Sequence, residues 1–249
     1  MPKKVAIIGG SGLSTLGEDE PRVVSDTRAT PYGTTSADII YNQYAGAESY
    51  FLARHGNPHH IAPHRINYRA NLWALKQLGV EQVIAVNAVG GINSGMPPAS
   101  LVLPDQLIDY THGRESSFYD GVHESLDHID FSHPFSSGML KDLAEQAQSQ
   151  GITIHQGGVY GVTQGPRLET AAEVKRLARD GCDIVGMTAM PEAALARELA
   201  IEYVSICLVV NPAAGCSERL ITMEEIHHVL DEGLVVVKKL IKTYLAVQK

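Results

Sequence analysis

Short apolar runs that stop at polar or glycine-rich residues alternate along this chain with stretches of helical periodicity. Val5-Ala6-Ile7-Ile8 has the length and branching of a buried strand, and Gly9-Gly10-Ser11-Gly12 ends it. Residues 38–52 read as strands with a turn at Gly46, and residues 70–78 as a helix that stops at Gly79. Val83-Ile84-Ala85-Val86 is the next strand, ending in a turn at Asn87-Ala88-Val89-Gly90-Gly91. Leu101-Val102-Leu103 and Gln106-Leu107-Ile108 are short strands. A helix over 137–149 precedes strands near Ile152-Thr153-Ile154 and Gly158-Val159-Tyr160. Thr170-Ala171-Ala172-Glu173 has capping-box spacing and opens a helix. Asp183-Ile184-Val185 is a strand, and 191–200 a helix with Pro191 in its first turn. Residues 203–210 form a long β-branched strand. Thr222-Met223-Glu224-Glu225 is a second capping box, opening a last helix that reaches about Ala246.

This alternation predicts an α/β sandwich with a mixed sheet flanked by helices, one domain over residues 1–249. Ligands in such sheets gather at the carboxyl ends of strands. The polar, aromatic stretch 112–134 is long for a passive loop, so it is either functional or covered by a partner.

Composition narrows the classes. Hydrophobic residues are 44% and charged residues 19% of 249, the balance of an ordered globular chain. A formal net charge of -8 argues against a general nucleic-acid binder. The three cysteines, Cys182, Cys207 and Cys216, have neither zinc nor redox spacing and read as reduced cytoplasmic thiols. The apolar run in MPKKVAIIGG is too short for a signal-peptide core, and no window suits a membrane span.

Three polar stretches sit where strands or loops give way to helices or turns: Gly165-Pro166-Arg167-Leu168-Glu169-Thr170, Gly186-Met187-Thr188-Ala189-Met190-Pro191-Glu192, and Val209-Val210-Asn211-Pro212-Ala213-Ala214-Gly215. The lone pairs, amide donors and a carboxylate there suit a small ligand with sugar, base and anion parts. The first glycine loop is a poor dinucleotide site, because Ser14–Pro21 holds Gly, Pro and three acids where a helix is needed. A turn whose amides and Ser11 hydroxyl hold one small anion fits better, beside a purely structural turn. Arg54-His55-Gly56-Asn57-Pro58-His59-His60, followed by Pro63-His64-Arg65, suits phosphate, with Arg as a bidentate donor. Metal binding is the rival, and it lacks carboxylates or an HExxH spacing.

Taken in order, these motifs make the chain resemble the trimeric purine nucleoside phosphorylase family, closest to its 5'-methylthioadenosine phosphorylase branch. Asn67-Tyr68-Arg69-Ala70-Asn71-Leu72-Trp73-Ala74-Leu75 and Ser117-Phe118-Tyr119-Asp120-Gly121 add to the match, which covers nearly the whole chain. The resemblance implies a partly barrel-like sheet, a homotrimer, and cleavage of a nucleoside by inorganic phosphate to a base and a pentose 1-phosphate, with no cofactor. It places phosphate on Ser11, Arg54, His55, the Asn87-Ala88 turn and Thr188, and Met187 against the sugar. His55 and Asn211 would serve the chemistry. His128 would reach into a neighbouring subunit's site over the 5' end, against the alternative of a solvated loop residue.

The chain departs from that branch at two places. The branch ends its core strand in Thr-Asp-Tyr-Asp, whose acids serve a 6-amino group and N7; here stands Val210-Asn211-Pro212-Ala213. An Asn211 amide can donate to a 6-oxo group, and Ala213 cannot accept from a 6-amino group. Glu169 matches the acid that takes the N1 proton in the 6-oxopurine branch, although Leu168 replaces its stacking Phe. At the 5' side, Met223 stands where the 6-oxopurine branch has a His for the 5'-hydroxyl, with Ile226 one turn on; core packing is the alternative. Together these imply phosphorolysis of 5'-methylthioinosine to hypoxanthine and 5-methylthioribose 1-phosphate. The alternatives are a 5'-methylthioadenosine phosphorylase, a general inosine/guanosine phosphorylase, and a non-catalytic nucleoside sensor.

Overall fold

A computed structural model describes residues 3–13, 15, 16, 22–25, 27–44, 47–119, 121, 126–218 and 220–248. The expected turn at Gly46, most of 14–21 and Asp120 lie outside these residues. In chain order come β1 (Val5–Gly9), β2 (Arg22–Val23), β3 (Ala29–Thr30), β4 (Gly33–Thr34), β5 (Ile39–Tyr44), β6 (Ala47–Ala53), α1 (Tyr68–Gln77) and β7 (Gln82–Gly91). Next are β8 (Leu101–Leu103), β9 (Gln106–Asp109), α2 (Ser137–Ser149), β10 (His155–Gln156), β11 (Val159–Val162) and α3 (Ala171–Arg179). The last elements are β12 (Ile184–Gly186), α4 (Ala189–Glu198), β13 (Glu202–Pro212) and α5 (Met223–Val247).

The main sheet runs β10-β8-β13-β7-β1-β6-β5-β2 and forks at the end of β7, where β12, β11 and β9 continue it. β1, β6, β7 and β13 are mutually parallel, whereas β12 meets β7 antiparallel at Gly90 and Gly91. β9 is joined to β8 by Pro104 and Asp105 only, and β8 pairs β13. The path β13-β7-β12-β11-β9 thus returns to β13 through β8, which is the partly barrel-like sheet expected. β1, buried at every position, is the apolar run of a strand covered on both faces.

Helix caps form where the sequence placed them. Thr170 and Glu173 complete a reciprocal capping box at α3; at α5 the Thr222 side chain accepts from Glu225 N. Two expectations are corrected. Asn87-Ala88 is not a turn: β13 pairs β7 to its end, so the strand continues through Gly91. Ile152-Thr153-Ile154 is not a strand: Ile152 N bonds Ala147 O at the end of α2, and pairing waits for His155 and Gln156. The long stretch after β9 packs on its own chain: Glu198 of α4 accepts from Ser117 Oγ and Phe118 N, and Phe118 is buried.

Candidate active site

A cavity of about 800 Å³ lies at the carboxyl ends of β1, β6, β7 and β13, with the turn after β12 closing one side. That volume is within the range of small-molecule sites. Ser11, Arg54, His55, Asn87, Ala88, Thr188, Met187, Leu168, Glu169, Asn211, Ala213, Met223 and Ile226 all line it. His128 does not: it is exposed on the stretch after β9.

At one end, Leu13 N bonds Gly10 O at 3.1 Å and folds the Ser11–Gly12 turn over the strand ends. A Cβ on Gly10 would sit 2.4 Å from Val86 O and 3.1 Å from Arg54 Nη1, so glycine lets this turn settle on β7. Asn87 Nδ2 donates to Thr188 Oγ1 at 2.7 Å, and Ser205 Oγ donates to Asn87 Oδ1 at 2.7 Å. The Thr188 hydroxyl, having accepted, keeps its own proton for a ligand.

Arg54 is fully buried. Its Nε and Nη2 donate to the two oxygens of Glu192 at 2.8 and 2.9 Å, and Nη1 donates to Val86 O at 3.0 Å. Burial disfavours the guanidinium charge, the Glu192 carboxylate more than offsets this, and its pKa lies above the ordinary value. The Nε–Nη2 edge belongs to Glu192, so a ligand can meet Arg54 only through the one N–H that remains on each terminal nitrogen. The Glu192 carboxylate is buried beneath the site, where it also accepts from Tyr203 Oη at 2.9 Å. A guanidinium this deep needs a counter-charge.

His55 Nδ1 lies 2.8 Å from Ile61 O, so the neutral ring donates there and presents Nε2 as an acceptor. Burial first, and then the Arg54 charge, lower its pKa to about 4. His59 stacks on it, with ring centroids 4.4 Å apart. His59 and His60 share the lining, and His64 does not. Among the described residues no group of three or more His, Cys, Asp or Glu is placed to hold a metal.

At the other end, the register of β13 against β7 shifts between Val209 and Asn211, and this bulge presents Asn211 to the cavity. Asn211 Nδ2 donates to Pro212 O at 2.6 Å, leaving one amide N–H and Oδ1. Ala213 is buried beside it. Glu169 lies just before the Thr170 N-cap, outside the helix; Thr163 Oγ1 donates to its Oε1 at 2.6 Å and leaves Oε2 as an acceptor. A Cβ on Gly165, whose φ is 62°, would fall 2.5 Å from Met187 Sδ, so glycine lets these two walls touch. Leu168 is 46% and Met223 60% exposed, so both form the rim, while Ile226 is buried. Met223 is therefore not an enclosed thioether pocket. Its helix adds Leu230 to the apolar lining, and His227 and Asp231 beside it.

Sequence reasoning missed Ser205, His227 and Asp231. Ser205 had a signal, a hydroxyl in the otherwise apolar Tyr203–Cys207 run. His227 and Asp231 lie four and eight residues after Met223, on the same helical face.

A family model described as the phosphorylase superfamily matches residues 4–246. The chain is 53% identical over 233 residues to a probable S-methyl-5'-thioinosine phosphorylase from Pseudomonas syringae pv. tomato, covering 94% of each. It is 45% identical over 235 residues to a probable 6-oxopurine nucleoside phosphorylase from Thermococcus kodakarensis, covering 91% of this chain and 85% of that one. The solved structure of the methylthioadenosine phosphorylase from Schistosoma mansoni in complex with adenine matches with a TM-score of 0.91 and 30% identity, over 98% of this chain and 91% of that chain.

Proposed function

From the premise that the chain belongs to the phosphorylase superfamily, we propose that it is a pentosyltransferase that cleaves 5'-methylthioinosine with inorganic phosphate, giving hypoxanthine and 5-methylthioribose 1-phosphate. The observation that carries this reading is the base end of the cavity. Asn211 and Ala213 stand there with no carboxylate at that end of β13, and Glu169 offers one oxygen to the same cavity. A 6-oxopurine has a proton on N1 for that oxygen and a carbonyl for an amide N–H. A 6-aminopurine instead turns its unprotonated N1 lone pair toward the Glu169 carboxylate, which can only accept.

Phosphate sits among Ser11, His55, the Ala88 backbone, Thr188 and the two remaining Arg54 N–H groups, with Asn87 holding Thr188. A phosphate oxygen forms the new bond to C1' as the bond from C1' to N9 breaks and its electron pair enters the base. The one remaining Asn211 N–H, shared between the 6-carbonyl and N7, stabilises that charge, and the proton of hydrogen phosphate ends on the released base. Met187 lies against the sugar. No cofactor takes part. The enzyme is a cytoplasmic homotrimer, a reading that rests on the family resemblance, and the exposure of His128 leaves it able to cover a neighbouring copy's 5' end.

A second reading is use of inosine. The exposed Met223 rim, with His227 and Asp231 on the same helix, favours it, because polar groups there can meet a 5'-hydroxyl. The test is base release from methylthioinosine, methylthioadenosine and inosine, each with and without phosphate. Phosphate-dependent release of hypoxanthine from methylthioinosine is expected. Release without phosphate makes the protein a hydrolase and sinks the reading.

A further inference from the structure

We propose that Arg114, which lies outside the cavity, is a positioning residue that sets the spacing between three of its walls. The proposal rests on that cavity being the nucleoside site. Arg114 belongs to the irregular stretch after β9, and its five N–H donors meet six oxygens. Nη1 donates to Met187 O at 2.9 Å, Met190 O at 2.6 Å and Tyr68 Oη at 3.3 Å. Nη2 donates to Gln164 O at 2.8 Å and Thr163 O at 3.3 Å, and Nε to Gln164 Oε1 at 3.1 Å. The Tyr68 hydroxyl donates onward to Pro63 O at 3.0 Å.

These partners are not one surface. Gln164 precedes Gly165, at the start of the wall that carries Leu168 and Glu169. Met187 and Met190 flank Thr188. Pro63 belongs to the wall next to His59, His60 and Ile61. A single planar cation thus ties together the segments assigned to the base edge, the sugar face with the phosphate hydroxyl, and the far side wall. Arg114 holds the Met187 carbonyl, and so the peptide plane that leads into Thr188. Carbonyls from different segments otherwise repel one another; a guanidinium fork satisfies several at fixed angles, which an ammonium does not. The chemistry needs the phosphate oxygen, C1' and the base edge in line, so a small change in wall spacing falls on the rate of bond breaking rather than on ligand capture.

The test compares wild type with Arg114→Lys, Arg114→Ala and Gln164→Leu, using methylthioinosine and inosine with phosphate varied up to saturation, well below each melting temperature. We expect kcat of Arg114→Lys to fall about 100-fold. KM for phosphate should stay within about threefold, because the Ser11 turn and Arg54 are held by other bonds. Added guanidinium should restore kcat in Arg114→Ala, where added methylamine should not. Gln164→Leu keeps the cation and removes one acceptor; its kcat should fall about tenfold with melting little changed. A kcat within about threefold of wild type in folded Arg114→Lys overturns the proposal. So does a loss in Gln164→Leu that follows melting temperature alone. A wild-type enzyme that uses only inosine overturns the substrate reading, and Arg114 is then judged on inosine.

Discussion

Arg54 and Glu192 form a two-bond ion pair in which neither side chain is exposed, with Tyr203 donating a further hydrogen bond to the carboxylate. The pair places a neutralised guanidinium at the floor of the anion end, so its remaining N–H groups act as oriented donors and not as a bare charge. Glu192→Gln leaves that charge buried with no counter-ion. We expect the variant to lose about 3–5 kcal/mol of stability by urea unfolding, with Glu192→Asp intermediate. A loss below about 1 kcal/mol would mean that Arg54 is neutralised in some other way.

Ser205 acts on the same end from one layer deeper. It fixes Asn87, which in turn supplies the bond that leaves the Thr188 proton outward. Ser205→Ala should raise KM for phosphate about tenfold, the equivalent of one hydrogen bond, with kcat at saturating phosphate changed less. Phosphate saturation curves at fixed nucleoside read this directly. An unchanged phosphate KM would show that Thr188 is oriented without the chain through Asn87.

The base end is tested by restoring the two acids that Asn211 and Ala213 replace. Asn211→Asp combined with Ala213→Asp should move the kcat/KM ratio of methylthioadenosine to methylthioinosine about 100-fold toward the amino substrate. Unchanged base preference in the folded double variant would remove both positions from the specificity argument.

Met223 stands on the rim, so its effect should be modest. Met223→His is expected to raise use of inosine relative to methylthioinosine by about fivefold, the scale of one partly solvated hydrogen bond. No change in that ratio, with a loss from Ile226→Ala, would place the 5' contact one helical turn deeper.

His55 makes a pH prediction. Its pKa falls from 6.5 to about 4 on folding, so the unfolded chain binds the proton more readily. This contribution leaves stability undiminished above pH 6.5, lowers it as pH falls from 6.5 toward 4, and levels off below that. Urea midpoints in phosphate-free buffer should therefore drop across this window for wild type and drop less for His55→Gln. Equal slopes would mean that the ring is protonated in the folded protein.

The sheet and most helices were legible because apolar runs, glycine stops and capping boxes are local signals. So were Ser11, Arg54, His55, Met187, Thr188 and Asn211, which end or follow strands, whereas the roles of Leu168, Glu169, Met223 and Ile226 came only through the family resemblance. What was not legible depends on contacts between distant segments. The Arg54–Glu192 pair joins residues far apart in sequence, and nothing near Arg54 shows that its better edge is already taken. The strand through Asn87 and Ala88 is held by pairing to β13, which overrides a glycine-rich sequence that suggests a turn. Arg114 sits in a stretch with no periodicity, and only the folded chain brings six oxygens around it.

The most direct measurement is competition among equal concentrations of methylthioinosine, methylthioadenosine and inosine in phosphate, with kcat/KM ratios read from initial rates. The expected result is that methylthioinosine is consumed first and hypoxanthine is the base released from it. Preference for methylthioadenosine would contradict the assignment of Asn211, Ala213 and Glu169 to a 6-oxopurine.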